Sequence, residues 1–296
     1  MPMERIINEE SLFKDEQILT DAGFYWRERD GVKVLVSKRL EDAGFANGFS
    51  TRLGGVSPFP ENGLNLAGFD EDSSENIAEN RRRFLGALDG DFRLATAWQV
   101  HGDDIRVVAN ESDIDNSNEK FDGLISQVPN VLVGVKTADC VPVLLADTRT
   151  GAFAAVHAGW RGTAQSIVAK AVQKMTAVFG TDPSDLIAAI GPAASGRCYE
   201  VGSDVIETFA KNFSNGESYF TATRDGHALV DLHIANRDQL VEEGVPEFAI
   251  SIAPLCTIER TDLFFSYRVE KKLYGKTGRL LSVVGRTGAQ ARLPSF

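Results

Sequence analysis

Only three cysteines, Cys140, Cys198 and Cys256, occur in 296 residues. They are widely spaced, so no disulfide framework is expected. The usage fits a reducing compartment, where thiols act as ligands, nucleophiles or small core residues. Long apolar runs are scarce too. The start, Met1-Pro2-Met3-Glu4-Arg5-Ile6-Ile7-Asn8-Glu9-Glu10, has no signal-peptide core, and the longest apolar runs elsewhere are strand-length. A cytoplasmic protein with no membrane partner is therefore expected. No dense Lys/Arg stripe breaks a net charge of −11; Arg81-Arg82-Arg83 and Lys271-Lys272 are short and isolated. A nucleic-acid surface needs a basic footprint to neutralise phosphates, which excludes a nucleic-acid partner. A small anionic substrate stays compatible, because a few arginines in a pocket reverse the sign locally.

What is present suits a folded domain: 43% of residues are hydrophobic and 25% charged, which leaves no room for a mostly disordered chain. Apolar runs predict strands over 32–36, 94–99, 105–108, 131–135, 141–146, 153–156, 187–190 and 280–284. Helices are predicted over 73–88, 163–179, 203–212 and 231–244. The breaker-rich loop 54–63 is long enough to be a binding loop. Strands and helices intermix without a strict βαβ rhythm, so the expected fold is a single α/β domain with a mixed β-sheet.

Histidine is also rare, and its placement is informative. Of four, His101 and His157 sit in glycine-flanked turns after apolar runs, Gln99-Val100-His101-Gly102 and Val156-His157-Ala158-Gly159-Trp160-Arg161-Gly162. Thr137-Ala138-Asp139-Cys140 is a third such strand-end turn. A rigid strand fixes the direction of a side chain at its end, so functional residues gather there. Two imidazoles and one thiolate suit zinc, and three protein ligands leave the open fourth position of a catalytic site. The spacing matches no short zinc motif, so satisfied core histidines and a buried thiol are the competing reading. His227, in a polar turn, is expected to be exposed, and His233, on a helix, to be packed. Cys198 and Cys256 read as core thiols. Gly275-Lys276-Thr277 resembles a phosphate loop, but Glu270 stands where the upstream glycine is required. Dinucleotide, nucleophile-elbow, Cys-x-x-Cys and nucleobase-deaminase patterns are missing.

A set of ordered runs carries a family resemblance. Phe49-Ser50-Thr51-Arg52-Leu53-Gly54-Gly55-Val56-Ser57, Gly63-Leu64-Asn65-Leu66, Glu79-Asn80-Arg81, Gln99-Val100-His101-Gly102, Thr137-Ala138-Asp139-Cys140-Val141-Pro142 and His157-Ala158-Gly159-Trp160-Arg161-Gly162 are followed by Ile190-Gly191-Pro192, Cys198-Tyr199-Glu200-Val201 and Phe264-Phe265-Ser266-Tyr267-Arg268. Together they resemble the YfiH/YlmD family, known as polyphenol oxidoreductases (laccases) and as purine nucleoside phosphorylases. The family often has a second arginine where Val269 stands and a threonine where Ser126 stands.

The resemblance implies a cysteine-hydrolase-like layered sandwich and a metal held by His101, Cys140 and His157, zinc or else copper. It divides the chain into an N-terminal extension, 1–45, and a single metal-dependent catalytic domain, 46–296. Phosphorolysis of adenosine, inosine and S-methyl-5′-thioadenosine, with adenosine deamination at the zinc, is the implied activity. Purine nucleosides and phosphate are then the partners. Arg52 is placed in the substrate pocket, with Arg161 and Asn65 as further substrate contacts. Asp139 is a candidate proton carrier, or else a turn-capping or ligand-orienting carboxylate. Rival readings are a copper-dependent polyphenol oxidase and a cysteine hydrolase of peptidoglycan precursors, with Cys140 as nucleophile and His157 as its base. A multicopper oxidase fits poorly, because one centre on the trio leaves only His227 and His233 for every other copper.

Overall fold

In the computed structural model, which describes residues 16–67, 72–114 and 117–288, the apolar runs pair into two six-stranded sheets and a smaller one. The first sheet runs β1 (Phe24–Arg29), β2 (Val32–Ser37), β3 (Ala46–Ser50), β15 (Leu280–Arg286), β7 (Val131–Thr137), β4 (Arg93–Ala95). The second runs β14 (Ile250–Ile252), β10 (Leu186–Ile190), β8 (Val141–Asp147), β9 (Phe153–Ala158), β6 (Gly123–Ser126), β5 (Ile105–Val108). Both are mixed: β4 and β7, β10 and β14, and β5 and β6 pair in parallel, the other neighbours antiparallel. Three antiparallel strands, β11 (Glu200–Gly202), β13 (His227–Val230) and β12 (Phe220–Arg224), stand apart.

The expectation of one sheet is thus corrected to two, and the residue pattern explains why. Every residue of β8 and β9 is buried, so both faces need cover. Val141, Val143 and Leu145 point to a core shared with helices Ile167–Phe179 and Leu232–Glu242. Leu144, Ala146, Phe153 and Ala155 point the other way, against Phe49, Val133, Val135 and Val284 of the first sheet. On that sheet's far face, Val34, Leu132, Leu281 and Val283 pack on Phe84 and Leu88, and Phe84 belongs to helix Ser74–Gly86. The period-two alternation of strand side chains thereby stacks helix, sheet, sheet and helix in layers.

Two other differences bear on the site. The helix expected over 163–179 is divided into Trp160–Ala164 and Ile167–Phe179, because Ser166 takes a left-handed φ of 58° between them. The strand expected over 94–99 ends at Ala95; the Gln99 side chain instead brackets the Lys136 backbone, donating to its carbonyl at 2.7 Å and accepting from its N–H at 2.8 Å. The stretch before residue 46 is no appendage where it is described, since β1 and β2 are outer strands of the first sheet. No helix among the described residues is long and apolar enough to cross a membrane.

Candidate metal centre and the pocket above it

The strand register assembles the trio. Cys140 immediately precedes β8, and His157 lies in β9 opposite Pro142 of β8. His101 lies on the loop between β4 and β5, which lead from one sheet to the other. The ligand atoms of His101, Cys140 and His157 all lie within 4.8 Å of one another. The two imidazoles meet edge to face, ring centres 4.9 Å apart. Gly159 allows this proximity: a Cβ there would stand 3.1 Å from Cys140 Sγ and 3.2 Å from His101 Cδ2.

Asp122, missed at the level of sequence, organises the group. It is fully buried just before β6, and its carbonyl accepts the His157 backbone N–H at 2.7 Å. One carboxylate oxygen receives the His157 ring Nδ1 at 2.8 Å and the His101 N–H at 2.9 Å. The other receives the N–H groups of Gly102, 2.7 Å, and Val100, 3.1 Å. A hydrogen bond from Nδ1–H leaves Nε2 of His157 to act as the ligand atom, the usual second partner of a metal-binding histidine. The same carboxylate holds His101 in a left-handed conformation, φ 60°, that a non-glycine residue rarely adopts. Its sequence signal is Phe121-Asp122-Gly123, an acid at the mouth of a buried strand.

Electrostatics agree with a soft metal-binding set. Burial raises the Cys140 thiol, but the His157 charge and hydrogen bonds from His101 and His157 outweigh it and bring the thiol down to about 6. Burial lowers His157, yet the Cys140 charge and the Asp122 hydrogen bond raise it to about 9. Each of these two groups therefore favours the charged form of the other. Asp139, also left-handed at φ 82°, is buried beside the trio and raised chiefly by desolvation. Its carboxylate accepts from Thr257 Oγ1 at 2.6 Å, Ser266 Oγ at 3.0 Å and the Arg268 N–H at 2.7 Å. These bonds brace three turns against each other.

Above the trio opens a cavity of about 610 Å³. Trp98, Trp160, Tyr199 and Tyr267 supply aromatic surface, and Lys136, Arg161, Arg268 and Arg279 supply charge. Among the described residues none of these four cations pairs with a carboxylate, although the chain is acidic overall. Burial, then the charges of Arg81 and Arg279, lowers Lys136 to about 8. A lysine inside the buried run of β7 was the available sequence signal.

The expectation for Arg52 is corrected: it does not line this cavity. Its Nη2 is 2.8 Å from Glu270 Oε1, with the two side chains 11% and 3% exposed. Its Nη1 donates to the Thr261 and Phe264 carbonyls at 2.5 and 3.3 Å, and its guanidinium lies over the Phe265 ring. Asn65 is likewise outside; its buried Oδ1 accepts the Arg279 N–H at 2.8 Å, which positions Arg279 instead. Arg161 does line the pocket, its guanidinium 4.3 Å from the Trp160 ring centre. His233 is packed, Nε2 donating to the Gly191 carbonyl at 3.2 Å, while His227 is half-buried at the start of β13.

Residues 46–287 match the family described as "Multi-copper polyphenol oxidoreductase laccase". The chain belongs to this family. A Deinococcus radiodurans protein named purine nucleoside phosphorylase is 37% identical over 250 residues, 83% of this chain and 91% of its own. Escherichia coli purine nucleoside phosphorylase YfiH is 33% identical over 254 residues, 85% and 98% of the two chains. The crystal structure of YlmD from Geobacillus stearothermophilus superposes with a TM-score of 0.80 at 34% identity, covering 88% of this chain and 97% of that one. The YfiH/YlmD resemblance is therefore established. A multicopper assembly would need more ligands than this laccase-family chain gathers: among the described residues the trio and Cys198, Cys256 and Glu259 are the groups able to hold an ion, and neither includes His227 or His233.

Proposed function

We propose that this protein is a purine nucleoside phosphorylase of the cytoplasm, acting on adenosine, inosine and S-methyl-5′-thioadenosine, with adenosine deamination as a second activity at a zinc site. The observation that carries this reading is the single cavity that joins the trio, aromatic walls and unpaired cations. The names of the relatives support it. Residues 46–296 are read as one metal-dependent catalytic domain, layered in the cysteine-hydrolase manner, with 1–45 as an extension that lends strands β1 and β2.

Two imidazoles and a thiolate in a pocket fit zinc, with His101, Cys140 and His157 as its holders; copper there is what phenol oxidation requires. When bound, zinc supplies Lewis acidity. The chain's own residues account for the rest. In phosphorolysis a phosphate oxygen bonds to C1′ of the sugar as the bond to the purine breaks, and the proton lost by hydrogen phosphate balances the one the base gains. Lys136, Arg279, Arg161 and Arg268 are the groups to hold that phosphate, since guanidinium and ammonium donors strengthen as water is excluded. The aromatic walls offer flat apolar surface to the purine. Asp139 and Asp122 hold turns and rings in place.

Purified protein incubated with adenosine, with and without phosphate, tests the proposal. Phosphate-dependent adenine release supports it; adenine release that ignores phosphate, or none, overturns phosphorolysis. Inosine formation reports the deaminase activity separately. One observation favours a second reading: Cys140 Sγ and a His157 ring nitrogen lie within 4.8 Å of each other and each favours the other's charged form, which also suits a cysteine hydrolase of peptidoglycan precursors, with Cys140 attacking and His157 as its base. Turnover that survives complete chelation of metal but is abolished in Cys140→Ser selects that alternative.

A further inference from the structure

Outside the pocket, a second cluster of metal-binding side chains lies behind its wall. Sγ of Cys198, Sγ of Cys256 and a carboxylate oxygen of Glu259 all lie within 4.8 Å of one another. Two facing turns present them. In the turn Cys256-Thr257-Ile258-Glu259 the Arg260 N–H reaches the Cys256 carbonyl at 3.0 Å, which puts Cys256 and Glu259 on one side. Opposite, the N–H groups of Cys198 and Tyr199 both reach the Ser195 carbonyl, at 2.9 and 3.0 Å, and this tight turn aims Cys198 at the first. A bridge between Ala193 and Cys256, with Thr257 N–H to Ala193 O at 3.0 Å, fixes the turns relative to each other. Two ligands with two residues between them on one turn, completed by a third from a facing turn, follow the short ligand spacing of structural zinc sites.

We propose that Cys198, Cys256 and Glu259 form a second metal site, selective for a thiophilic divalent ion of the zinc class, that clamps the turn at 195–198 to the turn at 256–259. The donor set favours such an ion over magnesium or calcium, which take oxygen ligands. The Ser195 N–H already points at Cys256 Sγ, 3.4 Å away, a hydrogen bond that supports a ligating thiolate. Arg197 reaches the other side of Glu259, Nη2 to Oε2 at 2.9 Å, leaving Oε1 for an ion. Charge then balances: two thiolates and a carboxylate against a divalent cation and one guanidinium. The clamp has a place in the fold. Tyr199, next to Cys198, lines the pocket, and Thr257, next to Cys256, donates to Asp139.

Zinc counting by elemental analysis tests this, on full-length protein loaded with zinc chloride and desalted. Two equivalents are expected in the wild type, one in Cys140→Ser, one in Cys198→Ser and none in the double variant. Because Cys256 is buried and its replacement risks misfolding, Glu259→Gln at the exposed end serves as the second probe; it should release the second zinc to a weak chelator before the first. In Cys140→Ser, zinc should also protect Cys198 from iodoacetamide. A wild type that holds one zinc, or a second zinc that survives Cys198→Ser, overturns the proposal. The count does not depend on activity, so it stands or falls apart from the proposed function.

Discussion

Replacing Arg52 by alanine separates two incompatible roles for this residue. If Arg52 holds phosphate, the variant folds normally and loses affinity for that substrate. The structure commits the guanidinium elsewhere: to the buried Glu270 carboxylate at 2.8 Å, to two backbone carbonyls and to the Phe265 ring. Removing one member of a buried pair leaves the other charge unpaired, which costs roughly 3–5 kcal/mol. For a domain of this size each kcal/mol is worth about 2 °C, so thermal unfolding should fall by roughly 6–10 °C. Glu270 also accepts from Thr277 Oγ1 at 2.5 Å and the Ser266 N–H at 3.2 Å, so the disturbance reaches the start of helix Tyr267–Tyr274 and the loop carrying Arg279. Differential scanning calorimetry of Arg52→Ala, Glu270→Gln and the double variant is the assay. The double variant should lose less than the two single losses combined, because no lone charge remains. An Arg52→Ala protein with wild-type unfolding temperature and a selectively raised KM for phosphate would refute this reasoning.

Cys140→Ser should lose zinc and turnover together, read by elemental analysis beside the adenosine assay, since a hydroxyl stays protonated where a thiol ionises. Asp122→Asn should weaken zinc binding about 10–100-fold, measured by chelator competition, because it removes the charged partner of His157 Nδ1. Phosphate affinity should fall as pH rises through and beyond about 8, where Lys136 loses its proton, and Lys136→Met should flatten that profile in calorimetric titration. An unchanged profile in Lys136→Met removes the lysine from the phosphate site.

The core was legible in the sequence because burial on both faces writes continuous apolar runs: β7, β8, β9, β10 and β15 all fall on them. How those runs divide between sheets was not, since a run buried against helices and one buried against another sheet read alike. β1, Phe24-Tyr25-Trp26-Arg27-Glu28-Arg29, hides as an edge strand with charged residues on it. The trio was visible as the residue types at three strand ends, two of them glycine-flanked. Asp122 was not read, because the local signal, an acid just before the buried strand at Gly123, does not reveal the register that sets Gly123 opposite Val156 and so brings the carboxylate to His157. Arg52 misled for a related reason: its partner Glu270 lies more than two hundred residues away, so a buried ion pair and a pocket arginine look the same in the chain.

Stability has been exchanged for geometry at this site, and the balance can be argued. His101 and Asp139 both hold left-handed backbone, a strain of about 1–3 kcal/mol each. Against it stand three N–H groups, of Val100, His101 and Gly102, converging on the buried Asp122 carboxylate, and three donors converging on Asp139. A hydrogen bond of this kind contributes roughly 1 kcal/mol net, so three together on either side offset a strain of that size. The floor of the pocket is therefore set before any ligand arrives, and little binding energy goes into ordering it. The rim is different: Trp98 and Tyr267 are 56% and 49% exposed. Rearrangement on binding should fall on those rings, which places tolerance for differing substrates at the mouth and fixed chemistry beneath it.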